Sequence, residues 1–98
     1  MKWSDIMWAE HPFSSSHCAR LSSGEYTVSI VTEINEPGLY EVAILNDNQN
    51  FVNLPGIHLI SDDEPFDDVL RYQTKEEVIG IVRKIESITG KEPLNVYS

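Results

Sequence analysis

The chain has a single cysteine, Cys18, and no basic residue at all between Leu21 and Leu70. It has no apolar run approaching the ~20 residues that a membrane-spanning helix needs. A lone cysteine cannot close an intrachain disulfide, so the fold must rest on packing, and a reducing, cytoplasmic setting is expected. A long stretch without cations cannot displace counterions from phosphates, which argues against direct nucleic-acid binding and against anionic membrane surfaces. Met1-Lys2-Trp3-Ser4-Asp5 lacks the apolar core of a signal peptide. Neither G-x-x-x-x-G-K-[ST] nor G-x-G-x-x-G occurs, so nucleotide cradling by those glycine-rich devices is excluded.

What is present is enough for one domain. The 98 residues are 41% hydrophobic and include nine aromatics, and a chain of this size buries roughly 60–68% of its unfolded surface. The net charge is −9, and its layout is uneven. Residues 1–20 are neutral, residues 21–70 carry −10, and residues 71–98 carry +1. Such a field serves solubility, attracts a basic protein partner, or imitates a nucleic-acid backbone.

Residues 1–20 read as an irregular N-terminal part. His11-Pro12 interrupts regular structure there, because the residue before proline is pushed out of the helical region. Trp3, Trp8 and Phe13 are expected to cap the open end of a small core. His17-Cys18-Ala19-Arg20-Leu21 is a candidate first strand, and Ser22-Ser23-Gly24-Glu25 a turn. Residues 26–34 alternate: Tyr26, Val28, Ile30 and Ile34 share one face, and Thr27, Ser29 and Glu33 the other, with Val31 an apolar exception. After the turn Asn35-Glu36-Pro37-Gly38, Tyr40, Val42 and Ile44 point one way, and Glu41 and Ala43 the other. Phe51-Val52-Asn53-Leu54 is a candidate fourth strand. Short polar turns between these runs predict an antiparallel meander over 21–54. Residues 55–73 read as an acidic loop containing Asp62-Asp63-Glu64-Pro65-Phe66-Asp67-Asp68.

The helix signal is the clearest. Thr74 and Glu77 form a capping box. Val78, Ile81, Val82, Ile85 and Ile88 make an apolar stripe, and Gly90 supplies a left-handed stop. Gly80, inside the helix, suggests close approach to a sheet. Residues 91–98 are a tail or a short edge strand. The expected fold is therefore α+β: a meander of three to four strands packed in two layers against one C-terminal helix over 74–90.

The chemistry available is sparse. Cys18 and His17 are sequence neighbours, which on a strand point to opposite faces and do not make a nucleophile–base pair. His11, His17, His58 and Cys18 fit no zinc spacing. The acids of 62–68 have the oxygen donors that calcium takes but not the loop spacing, so whether they bind a cation stays open. No catalytic residue, metal ligand or cofactor is assigned. What remains is surface recognition, for which the candidate residues are Asp62, Asp63, Glu64, Phe66, Asp67, Asp68, Glu33 and Glu41.

Several stretches carry a family pattern: Trp3-Ser4-Asp5-Ile6 leading to His11-Pro12, Gly38-Leu39-Tyr40-Glu41-Val42-Ala43-Ile44-Leu45, and Asp67-Asp68-Val69-Leu70-Arg71-Tyr72-Gln73-Thr74-Lys75-Glu76-Glu77-Val78. Over about two-thirds of its length the chain resembles small bacteriophage and prophage proteins. Residues 55–66 look longer than the family's usual loop. The resemblance implies a phage gene expressed in a host bacterial cytoplasm and carries over no site residue.

The function expected is a small acidic, non-enzymatic interaction module that modulates or inhibits a basic or partly basic host protein. The alternatives are a small-molecule binder or minimal enzyme with a pocket near the histidines and Cys18, and a nucleic-acid mimic. Association of two copies through an unpaired sheet edge is left open.

Overall fold

The computed structural model describes residues 2–10 (Glu10 by its backbone alone), 17–33, 36, 38–52, 54 and 69–96. The loop acids Asp62, Asp63, Glu64, Asp67 and Asp68, with Phe66, His11, His58 and Phe13, lie outside the described residues.

The alternating runs become strands. β1 is Ala9–Glu10, β2 His17–Ser23, β3 Tyr26–Thr32, β4 Tyr40–Leu45 and β5 Val69–Gln73; α1 is Lys75–Thr89, and β6 is Leu94–Asn95. A single 3-10 turn, Trp3–Asp5, precedes them. All pairings are antiparallel, in the order β1-β2-β3-β4-β5, with β6 also on β2. The class is the expected α+β meander with one helix; among the described residues the meander has five strands, close to the three to four expected, and β6 adds a sixth strand beside β2. The fourth strand of the meander is also not where the sequence suggested. Phe51 makes one isolated bridge to Leu45, and the strand beside β4 is Val69–Gln73, expected as the end of a loop.

Local chemistry explains the joints. Ser23 pairs with Tyr26 across a two-residue turn whose first position, Gly24, has φ +58, the pattern of a hairpin that opens with glycine. A side chain at Gly24 would also meet Thr89, its Cβ lying 2.9 Å from that of Thr89. Ser23, buried here, donates to the Lys91 carbonyl at 2.7 Å and lies 2.7 Å from the Thr89 hydroxyl, while the Lys91 N–H donates to that hydroxyl at 3.1 Å. The β2–β3 turn is thereby fixed to the end of α1.

The helix has the expected ends. Glu77 N–H donates to Thr74 Oγ1, and Thr74 N–H to Glu77 Oε1, completing the box. Gly90 takes φ +70. With 15 residues α1 is about 22 Å long, enough to cross the roughly 14 Å from β5 back to β2 over one sheet face. Its buried residues are Val78, Ile81, Val82 and Ile85, which join Ala19, Leu21, Val28, Ile30, Val42, Ile44 and Ile6 in one core. Two expectations are corrected here. Ile88 is 51% exposed, because in the last turn it is Thr89 that meets Gly24. A Cβ on Gly80 would have nothing within 4 Å, so that glycine is not required for close packing.

Trp3 and Trp8 cap the core as expected, in a cluster the sequence did not reveal. Their ring centroids lie 5.4 Å apart, and 5.0 and 5.6 Å respectively from that of Tyr40. The Lys75 ammonium stands 5.6 Å over Trp3. The two ends of the chain are tied by Asn95, which accepts from Met7 N–H and donates to the Asp5 carbonyl.

Candidate functional site

The face of the sheet away from α1 is built from the other half of each alternation. Register places Cys18, Val31 and Glu41 in one row, and Arg20, Ser29, Ala43 and Val69 in the next. At the β5 end of this face the two described acids from the candidate set come together. Glu33 extends β3 by one residue, its N–H donating to the Leu39 carbonyl at 2.9 Å, so its side chain falls diagonal to that of Glu41.

A third group completes the cluster. Between the pairs Tyr40–Gln73 and Val42–Leu70, the single residue Glu41 faces both Arg71 and Tyr72, a β-bulge. Arg71 Nη1 donates to Glu41 Oε1 at 3.2 Å. Tyr72 takes φ +56, a left-handed conformation that an aromatic residue adopts only when its surroundings impose it, and it is 58% exposed.

The electrostatics are unbalanced. Two carboxyl groups face one guanidinium. Glu33 Oε1 is shut off from water and has no hydrogen-bond partner among the described residues. The Glu33 pKa is raised, first by desolvation and then by Glu41, whose carboxyl lies within hydrogen-bond reach; Arg71 and the Tyr72 backbone N–H pull it down. The site therefore holds a surplus carboxylate with unmet acceptor capacity, beside a projecting aromatic ring. Chemically it suits a donor of positive charge.

Sequence reasoning marked Glu33 and Glu41 but not their meeting, and it missed Arg71 and Tyr72. The placement of Glu33 and Glu41 on the outward set of two runs joined by a short turn was the available signal. Nothing in the sequence signals the conformation of Tyr72. Cys18 and His17 are parted, with Cys18 half-buried and His17 exposed. Among the described residues no three His, Cys, Asp or Glu side chains are grouped so as to hold a metal ion, and no helix is long and apolar enough to cross a membrane.

No family model, no curated protein and no solved structure matches the chain.

Proposed function

We propose that this chain is a small acidic, non-enzymatic interaction module whose outer sheet face docks on a basic surface of another protein. The observation that carries the reading is the Glu33–Glu41 pair, where two carboxyl groups lie together and a single guanidinium, paired to Glu41, stands beside them. A lysine or arginine from a partner supplies positive charge to the pair at the partly exposed Glu41 carboxylate, and charge-assisted hydrogen bonds of this kind are about twice as strong as neutral ones. Tyr72, exposed and held in a strained conformation next to the pair, is of the residue type that anchors interfaces. The chain's net charge of −9 speeds approach of a basic surface. With the resemblance to phage proteins, the partner proposed is a host protein of the bacterial cytoplasm, modulated or inhibited by being covered.

The test separates this site from overall charge. Binding of a fluorescent arginine-rich peptide is measured for the native chain, for Glu33→Gln with Glu41→Gln, and for Glu25→Gln with Asp47→Asn, which removes the same charge at two exposed positions away from the pair. The expected result is about tenfold weaker binding for the first variant and less than about twofold for the second, with affinity falling as salt rises. Equal losses in both variants overturn the assignment of the site.

A further inference from the structure

The edge of the sheet opposite β5 carries a second feature. β1 pairs with β2 at His17 and Cys18, while β6 pairs with the same edge at Leu21 and Ser22. The two short strands part between these positions, with the Val96 N–H reaching the Arg20 carbonyl at 2.9 Å. The gap opens into a cleft of about 360 Å³ lined by Met7, Ala9, Cys18, Ala19, Arg20 and Val96. That volume falls at the lower end of the roughly 300–1,000 Å³ of small-molecule sites.

The lining has a simple chemistry. Met7 and Val96 are exposed apolar side chains, and with Ala9, Cys18 and Ala19 they give apolar walls. Among the described residues Arg20 is the one charged member of the lining and makes no ion pair. The Asp5 carboxylate, on the neighbouring turn, already accepts from the Lys2 N–H at 2.8 Å. On a chain of net charge −9 this cleft belongs mostly to the neutral first twenty residues. An exposed arginine alone holds a free anion weakly. Apolar walls alone select nothing. Together they favour a ligand that presents a carboxylate to Arg20 and an apolar chain to the walls.

We propose that the cleft between β1 and β6 binds a linear amphipathic carboxylate, with Arg20 as its counter-ion and Met7, Ala9 and Val96 as its apolar contacts. The site lies along β2, whereas the Glu33–Glu41 pair lies on β3 and β4, and it does not depend on the protein-binding reading.

Cys18 lines the cleft and is the only thiol, so its rate of alkylation by a maleimide reports occupancy directly. The probe is decanoate below its micelle concentration, with decanol and acetate at matched concentrations as controls. Decanoate is expected to slow labelling saturably, and the two controls to leave it unchanged. Arg20→Gln is expected to raise the half-protecting concentration about tenfold or more, and Arg20→Lys to restore part of the loss. Arg20 is exposed, and circular dichroism checks that the variants keep the fold. No protection by decanoate, equal protection by decanol, or unchanged protection in Arg20→Gln each overturns the proposal.

Discussion

The two faces of the sheet are made from the same strands and obey opposite rules. The face under α1 is closed: Leu21, Val28, Ile30, Val42 and Ile44 are buried against Val78, Ile81, Val82 and Ile85, and the one buried polar residue recorded there, Ser23, is hydrogen-bonded. The outer face buries Ala43 and Leu45 but otherwise keeps half-buried or exposed side chains, two carboxyl groups beside one guanidinium, a left-handed tyrosine, and a carboxylate oxygen unsatisfied among the described residues. Stability is concentrated on one side and unmet chemistry on the other. A protein whose function is recognition is expected to divide its residues in this way, because sites that bind are commonly places where local rules are broken.

The strongest way to break the comparison is to alter neighbours that differ only in face. Ile30 and Val31 are consecutive in β3; Ile30 is fully buried in the core and Val31 is half-buried on the outer face. Ile30→Ala is expected to lower unfolding free energy by about 3 kcal/mol, through lost transfer energy and the cavity left behind. Val31→Ala is expected to cost less than about 1 kcal/mol. Urea unfolding of both variants measures the difference. Equal costs would mean that the outer face is packed as firmly as the inner one, and the division would fail.

A smaller effect sharpens the closed side. Gly80 sits inside α1, and a Cβ there would stand in open space. The glycine therefore costs helix propensity without serving contact. Gly80→Ala is expected to raise stability by about 1 kcal/mol and the melting temperature with it, while leaving peptide binding unchanged. A destabilised Gly80→Ala would show that the helix needs that space.

The same division explains what could be read in the sequence. On the closed side the periods are long and clean. The 26–34 and 39–45 runs alternate, and α1 shows its stripe, its Thr74–Glu77 box and its Gly90 stop, so each was identifiable. β1 and β6 have two residues each, too few to show any period. β5 was hidden for a different reason. The bulge at Arg71 and Tyr72 interrupts the alternation, and the segment follows a run of acids that reads as loop. Missing β5 also meant missing Arg71, which pairs with Glu41 beside Glu33. Ile88 misled because its 3.6-residue spacing continues into a turn where Thr89 makes the contact. Period reports which residues share a face of the helix, and not where the surface opposite that face ends.

The finest test lies within the carboxylate pair. Glu33 has its pKa raised above its ordinary value of 4.5 by desolvation and by Glu41. The folded chain thus holds a proton on this group more tightly than the unfolded chain does. Stability from Glu33 is fully present below the unfolded value near 4.5, and is lost as pH rises from there through the folded value. The ionised form of Glu33 therefore opposes folding. Glu33→Gln removes that opposition, because a neutral amide cannot be charged. The variant is expected to be slightly more stable than the native chain at pH 7 and no more stable at pH 4, with the gap opening across the acid limb of a melting-temperature profile. The same substitution is expected to weaken binding to the arginine-rich peptide. A residue whose removal helps the fold and harms recognition is maintained for recognition. If Glu33→Gln instead lowers stability at pH 7, the carboxylate is part of the scaffold, and the outer face owes its acids to structure.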